Sequence, residues 1–488
     1  MENLNSKVQK ATKWSALSEL CAKLILPITN MILARLLAPE MFGVVATVTM
    51  IVSLADLFTD AGFQKYLVQR EFNNDEEKNN CTTVAFWSNL IMSFFLLCMI
   101  FFFRDVIADA VGNPGLGNVL FVASISLPLT SFSSIQSARF KRDFDFKTLF
   151  YARWISLLTP IFITIPLAVL TRSYWALICG TLAQNLLNAV FLTIKSPWKP
   201  RLYFNMSLLR GMLSFSIWTT VEQISIWLTS YADVFIVGMV LSQYYVGIYR
   251  TSMTTVNAIT SVIISATTPV LFASLSRLQN NNIAFNKMFL SFQRKVGYIL
   301  VPLSAGILLY SPLIVKILLG SQWSEANGFV GLWGCLSSVT ILFSHYCSEV
   351  YRAKGKPKLS FVVQILHLII VIPVVMITSK HGFECLYVGR SLVRLELILV
   401  NLIIMKKTIN ISIMKMVINV KNSFIATIVM SIISIGLQNI SDLVVWQVVS
   451  IIICTIVYFS VLLLFRNVRK DIMPIFERIN IKNILNRN

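Results

Sequence analysis

Fourteen long, largely apolar stretches follow one another along this 488-residue chain, and short loops separate them. The hydrocarbon core of a bilayer is about 30 Å thick, and a helix of about 20 apolar residues crosses it. A soluble domain does not need so many full-length apolar segments in succession. The pattern therefore predicts an all-α polytopic membrane protein with about 14 transmembrane helices. The predicted spans are 14–37, 43–63, 84–103, 117–137, 152–170, 174–194, 212–240, 246–275, 296–319, 328–350, 360–378, 382–405, 421–437 and 444–465.

Charge and composition fit the same class. The chain is 56% hydrophobic and only 13% charged, and its net charge of +20 would suggest nucleic-acid binding in a soluble protein. Most of its 42 Lys and Arg residues, however, lie in the two tails and in the loops after even-numbered spans. Basic loops of membrane proteins face the cytoplasm. The bilayer, and not nucleic acid, is therefore the predicted partner, with both termini cytoplasmic.

The chain also contains an internal repeat. A shift of 204 residues aligns Trp14 with Trp218 and residues 37–43 with 241–247. This offset spans six predicted helices, an even number, so the second copy enters the membrane from the same side as the first. Two parallel lobes suit transport by alternating access to a site between them. The predicted boundaries are an N-terminal six-helix lobe at 1–200, a C-terminal six-helix lobe at 201–410, two additional transmembrane helices at 411–470 and a cytoplasmic tail at 471–488.

Acidic side chains inside the predicted spans are the candidates for ion coupling. A charge at the bilayer centre costs at least about 2.5 kcal/mol, so it usually faces a cavity or a partner. The candidates are Glu19, Asp56, Glu222 and Asp233, which bind protons or sodium in this interpretation. Glu19 lies four residues before Lys23, which also fits a self-neutralising structural pair. For Glu222 and Asp233 the alternative is hydrogen bonding between helices.

Basic and aromatic side chains in the spans are the candidates for binding a substrate. Guanidinium groups hold phosphate in a bidentate fork. Arg390 and Arg394 lie in the twelfth span, whereas Arg35 and Arg250 lie near helix ends, where extension to the membrane surface is the alternative. Lys23 joins these candidates as a cavity cation.

Ring-bearing residues leave two interpretations open. Trp218 is a candidate for stacking on a sugar, although membrane tryptophans mostly serve packing or interfacial anchoring. His345 and His367 are lone histidines in apolar spans, for which core packing is favoured over a proton relay.

The motif search favours a transporter that works without a cofactor. The eight cysteines have no metal-ligand spacing, and the sequence contains no Walker motif and no nucleophile motif. We therefore expect no metal site, no cofactor and no enzymatic activity.

Several sequence segments together carry a resemblance to a known family. They are Lys13-Trp14-Ser15, ARLLAPEMFG at 34–43, DAGF at 60–63, ARFKRDF at 138–144, YADVFIVG at 231–238 and VGIY at 246–249. On these segments the chain resembles the polysaccharide-unit flippases of the polysaccharide transporter family, within the multidrug/oligosaccharidyl-lipid/polysaccharide exporter superfamily.

The resemblance implies a function. Such a protein moves an undecaprenyl-pyrophosphate-linked oligosaccharide from the cytoplasmic to the outer leaflet of the bacterial inner membrane. This step feeds lipopolysaccharide O-antigen or exopolysaccharide assembly, and the resemblance implies a polysaccharide polymerase and chain-length machinery as partners. Relatives that flip cell-wall lipid precursors carry two extra helices that form a lipid-tail groove, and spans thirteen and fourteen are expected to play that part.

Two alternatives stay open at this point. A drug or metabolite antiporter of the same superfamily would share the two-lobe bundle, although the basic loops and the two extra spans fit the polysaccharide branch better. A membrane polysaccharide polymerase is disfavoured because such enzymes expose a large external loop, and the loops here are short.

Overall fold

The computed structural model describes residues 2–60 and 62–471. Side chains of residues 2–13, Ala16, Leu20, Leu24, Phe215 and Trp218 lie outside this description. Throughout the described ranges the regular structure is helical, and no strand occurs in them. The predicted all-α class is thus confirmed.

The chain divides into two compact units, Met1–Thr251 and Ser252–Asn488. The predicted boundaries at 200, 410 and 470 stay predictions. Helix α11 begins in the first unit and ends in the second. The helices to this point are α1 (Glu2–Leu36), α2 (Pro39–Asp60), α3 (Phe63–Gln69), α4 (Asp75–Ala110), α5 (Gly117–Ser124), α6 (Ser126–Arg142), α7 (Phe146–Thr159), α8 (Ile165–Thr171), α9 (Trp175–Lys195), α10 (Met206–Val240) and α11 (Gln243–Arg277), with a π-helical turn at Pro160–Thr164.

The second unit continues with ten α-helices in its described part. They are α12 (Asn282–Leu309), α13 (Ser311–Leu318), α14 (Ala326–Thr340), α15 (Tyr346–Ala353), α16 (Lys358–Ser379), α17 (Phe383–Leu392), α18 (Arg394–Ile409), α19 (Ile413–Ile418), α20 (Lys421–Gln438) and α21 (Val444–Leu464), with a 3₁₀ turn at Ser321–Trp323 and a π-helical turn at Ile341–His345.

Twelve helical segments of the described chain are long and apolar enough to cross a membrane. The number rises to thirteen if α12 and α13, which meet at an angle of 80°, form one broken span. The protein is therefore a multi-pass membrane protein, while the count of fourteen stays a prediction. The difference includes the predicted span 382–405, which is split at Val393 into α17 and α18, both too short to cross alone.

The bend between α12 and α13 has a local cause in the sequence. The first helix ends at Leu309, Tyr310 caps it, and Pro312 lies in the first turn of the second helix. A proline there has no N–H for the preceding turn, but the first turn of a helix does not need one. The chain therefore restarts a helix in a new direction without losing a required hydrogen bond.

Helices α2 and α11 begin in a reciprocal backbone contact inside the first unit. A Cβ atom built on Gly43 would lie 1.9 Å from the carbonyl oxygen of Gln243, and one built on Gly247 would lie 1.9 Å from that of Pro39. Residues 39 and 43 are the repeat equivalents of 243 and 247. The contact thus joins matching positions of the two copies, and glycine is required because any side chain would occupy the space of the opposite backbone.

The C-terminal end of the described chain is held against α12. The guanidinium group of Arg294 donates to both carboxylate oxygens of Asp471, from Nε at 2.6 Å and from a terminal nitrogen at 3.0 Å. The Tyr298 hydroxyl donates to the same carboxylate at 2.9 Å. Partial burial alone would raise the pKa of Asp471, but these hydrogen bonds outweigh it and hold the pKa below its usual value.

We expect Asp471→Asn to lower the free energy of unfolding at pH 7 by about 1 kcal/mol, because the lost charge-assisted bonds are partly exposed to solvent. A carboxyl with a depressed pKa stabilises the fold above its unfolded pKa of about 3.9, and this contribution is lost as the pH falls through the folded value. Denaturant titrations of both proteins in detergent should therefore differ at pH 7, begin to approach each other below about pH 4 and converge once the pH lies below the folded pKa. A difference that persists there would contradict the assignment.

Candidate functional site

A cavity of about 200 Å³ lies inside the first unit, among α2, α5, α6 and α9, and we call it the polar cavity because its wall contains a carboxylate. Asp56 on α2 supplies its carboxylate. The Thr130 hydroxyl on α6 donates to Oδ1 of Asp56 at 2.7 Å, and the Thr59 hydroxyl one turn along α2 donates to the same oxygen at 3.2 Å. The carboxylate is therefore fixed by two helices through one of its two oxygens.

Several groups that line the cavity retain hydrogen-bonding capacity. Within the described chain, no hydrogen bond reaches Oδ2 of Asp56, the amide of Asn185 on α9 or the hydroxyl of Thr49 on α2. Other polar residues of the lining are Ser53, Ser126 and Thr181. Apolar residues complete it: Val45, Val48, Val52, Ala123, Ile178 and Leu182. The cavity thus combines polar atoms that can still form hydrogen bonds with aliphatic surface.

Aromatic residues of α10 lie beside this cavity. The indole N–H of Trp227 donates to the Ser53 hydroxyl at 2.9 Å. The Trp227 ring stacks on Tyr231 with 5.5 Å between ring centroids, and the guanidinium carbon of Arg250 lies 4.9 Å from the Tyr231 ring centre. Arg250 is therefore held over an aromatic face, a contact that its sequence position did not reveal.

The other predicted acids of the first unit have partners. Glu19 lies 3.9 Å from Lys23 on the same helix, which matches the structural alternative. Glu222 lies 3.2 Å from Lys65, and both side chains are largely exposed. Asp233 is buried, and its two oxygens accept hydrogen bonds from the Tyr249 hydroxyl at 2.9 Å and its neighbour's backbone N–H at 2.8 Å. Of the four predicted acids, only Asp56 lines the cavity.

One further predicted cation of this unit, Arg35, does not line the cavity. Arg35 is exposed in the last turn of α1. The side chain of Trp218 lies outside the described residues. Their predicted roles in binding stay predictions.

In the second unit, the predicted arginines Arg390 and Arg394 meet at one aromatic ring. Their guanidinium carbons lie 4.9 Å and 3.6 Å from the ring centre of Trp333 on α14. Beside them, Nδ1 of His367 on α16 and Oε2 of Glu396 on α18 are 3.0 Å apart. Arg390 is only 6% exposed, so this charged cluster is packed within the unit.

Sequence reasoning missed the pairing of His367 with Glu396. The two residues are 29 positions apart, on different helices, and no local spacing in the sequence predicts their contact. The available signal was that each lies inside an apolar span, where a charged or polar group needs a partner.

A different cavity, which lies in the second unit, is almost entirely apolar. It is a groove of about 410 Å³ lined by residues of α11, α12, α13, α20 and α21. The tyrosine hydroxyls at its wall are engaged within the protein: Tyr310 with the Ser450 hydroxyl at 2.8 Å, and Tyr458 with the backbone carbonyl of Tyr298 at 3.0 Å. Since these polar atoms already have partners, the groove is suited to hydrocarbon.

A sequence model of a family described as "Polysaccharide biosynthesis protein" matches residues 32–327. The chain belongs to this family. Among curated proteins of similar sequence, the lipopolysaccharide biosynthesis protein WzxC of Escherichia coli K12 is 21% identical over 78% of this chain and 76% of that protein. The succinoglycan biosynthesis transport protein ExoT of Rhizobium meliloti is 24% identical over 67% of this chain and 66% of that protein.

The fold of this polysaccharide biosynthesis protein matches that of a solved flippase. The lipid II flippase MurJ, in an inward closed conformation, superimposes with a TM-score of 0.73 at 16% identity, covering 94% of this chain and 99% of MurJ. The predicted resemblance to a polysaccharide biosynthesis family is confirmed by the family match, and the prediction of a transporter rather than an enzyme is confirmed by the curated relatives.

Proposed function

We propose that this protein moves an undecaprenyl-pyrophosphate-linked oligosaccharide from the cytoplasmic to the outer leaflet of a bacterial inner membrane, by alternating access. Both termini are cytoplasmic in this proposal. The exported unit is then a substrate for a polysaccharide polymerase and its chain-length machinery, which assemble lipopolysaccharide or exopolysaccharide.

The apolar groove of the second unit is the observation that carries the proposal. Its walls come mainly from α12 and from the last two predicted spans, α20 and α21, which stand outside the internal repeat. A drug antiporter has no need of a hydrocarbon channel, whereas a polyprenyl chain must stay in an apolar environment while its glycan crosses. We assign the groove to the polyprenyl chain of the substrate.

The membrane potential can supply part of the driving force. A pyrophosphate diester carries about two negative charges, and an inside-negative potential of ~100 mV assists its export by ~2.3 kcal/mol per charge. The gain is about 4 to 5 kcal/mol without any ion. Proton or sodium coupling through Glu19, Asp56, Glu222 or Asp233 stays a prediction, as does phosphate binding by the predicted cations.

Filling the groove should block flipping. Gly306 lines it, and a Cβ atom built there meets nothing within 4 Å, so Gly306→Leu should fold and project into the space that the lipid chain needs. Gly436 on α20 is equally open but does not line the groove, which makes Gly436→Leu the matched control. We expect at least a tenfold loss of external undecaprenyl-linked glycan in the Gly306 variant and wild-type levels in the control.

The measurement is the leaflet location of undecaprenyl-linked glycan, read with an external glycan-modifying probe in the native host. Deletion of the gene should trap intact units on the cytoplasmic side. Unchanged display after deletion, in a host without a second flippase, would remove the proposed function. If external glycan is lost on gene deletion but is normal in Gly306→Leu, only the assignment of the groove to the lipid chain would be contradicted.

A further inference from the structure

We propose that the polar cavity of the first unit is a subsite that binds one neutral sugar residue of the transported glycan through Asp56 and Asn185. The inference rests on the proposed function, which supplies a carbohydrate as cargo. It adds which part of the protein recognises the sugar and which sugar chemistry it accepts.

The polar atoms of the cavity match the hydroxyl groups of a sugar. Oδ2 of Asp56 accepts hydrogen bonds only, the amide of Asn185 both donates and accepts, and the hydroxyl of Thr49 does either. None of these three makes a hydrogen bond within the described chain, and they come from two helices that face one cavity. Sugar hydroxyls are both donors and acceptors, so a ring placed here satisfies all three groups.

The remaining surface suits the apolar side of a sugar ring. Aliphatic side chains of α2 and α9 line the cavity next to the polar groups. Trp227 is tied to the cavity lining by its hydrogen bond to Ser53, and its ring stacks on Tyr231. Aromatic faces present apolar surface and a polar edge together, and a sugar ring has the same two kinds of surface.

The same features disfavour a bare cation as the occupant. Sodium and divalent ions need several oxygen ligands converging at one point, whereas the cavity has a single carboxylate and one of its oxygens already accepts two hydroxyl hydrogen bonds. A space of about 200 Å³ is also far larger than one ion or one water occupies. The carboxylate further predicts a charge preference, because it would repel the carboxylate of a uronic acid.

The test uses the purified full-length protein and three probes: a methyl hexopyranoside, a methyl N-acetylhexosaminide and a methyl hexuronide. Saturation-transfer NMR should detect millimolar binding of at least one neutral glycoside and weaker binding of the hexuronide. Asp56→Asn should weaken binding of the neutral glycoside about tenfold, as expected for loss of a charged hydrogen-bond acceptor. Asp109→Asn, at an exposed carboxylate on α4, is the control and should bind like the wild type.

A second variant keeps the test independent of folding. Since the Asn185 side chain makes no hydrogen bond within the described chain, Asn185→Leu removes no internal bond and should still weaken binding several-fold. No binding of any glycoside up to about 10 mM, or equal binding by both variants and the wild type, would overturn the subsite. Sodium binding lost in Asp56→Asn with unchanged sugar binding would overturn it in favour of ion coupling.

Failure of the subsite and failure of the proposed function remain distinguishable. If gene deletion blocks glycan display but the Asp56 and Asn185 variants bind sugar like the wild type, the flippase function is supported and the subsite is contradicted. If glycan display is normal after gene deletion but sugar binding depends on both residues, the subsite is supported and the protein has another function.

Discussion

Replacement of Gly43 by alanine is expected to lower the free energy of unfolding by about 2 to 3 kcal/mol, and Gly247→Ala by a similar amount. In each case the new methyl carbon would lie 1.9 Å from a backbone carbonyl oxygen of the opposite helix. A side chain can rotate away from such a clash, but a backbone atom in the second helix moves only if the helix moves. Overpacking of this kind typically costs 1 to 3 kcal/mol, and the backbone location places it at the upper end.

The matched control, Gly211→Ala, should not lower the free energy of unfolding. Gly211 lies in α10 of the same unit, and a Cβ atom built there meets nothing within 4 Å. Alanine is about 1 kcal/mol better than glycine in a helix interior, so Gly211→Ala should be neutral or stabilising. Denaturant titration of the three variants in detergent measures the difference. If Gly43→Ala were as stable as Gly211→Ala, the close approach of α2 and α11 would be wrong.

Much of the fold could be predicted from the sequence because the bilayer imposes length and hydropathy directly. The membrane class and the sequence positions of the helices follow from apolar stretches alone. Helix ends were harder. Helix α4 extends from Asp75 to Ala110, well beyond the predicted 84–103, because polar and charged residues beyond an apolar stretch can continue a helix. The break at Val393 was missed because hydropathy does not register a change in backbone direction.

The candidate sites could be predicted only in part. Asp56 stood out because a carboxylate in an apolar span is costly, but its partner Thr130 and the facing Asn185 did not. Hydroxyl and amide groups are common in membrane helices, and which of them face one cavity depends on the rotation of each helix. That rotation is set by packing between helices far apart in sequence, which a single sequence does not reveal.

The buried charged cluster of the second unit leads to the other large expected effect. Glu396→Leu should lower the free energy of unfolding by about 1 to 3 kcal/mol, the usual cost of leaving a buried hydrogen-bonding group without its partner. Glu396 supplies the carboxylate that contacts His367, while Arg390 and Arg394 bring two positive charges to the same Trp333 ring. Without the carboxylate, the buried ring nitrogen of His367 would lose its hydrogen-bond partner at a site that is largely closed to water.

Two further variants separate charge from hydrogen bonding in this cluster. Glu396→Gln keeps a group that can hydrogen-bond to His367 but removes the negative charge. Its free energy of unfolding should therefore lie between those of the wild type and Glu396→Leu. The double variant Glu396→Leu with His367→Leu removes both partners of the hydrogen bond and should recover part of the loss, because it leaves no buried group without its partner. Exposed Glu384 on α17 is the control, and its leucine variant should change stability by less than about 0.5 kcal/mol. A double variant no more stable than Glu396→Leu would mean that the loss comes from packing and not from the broken hydrogen bond.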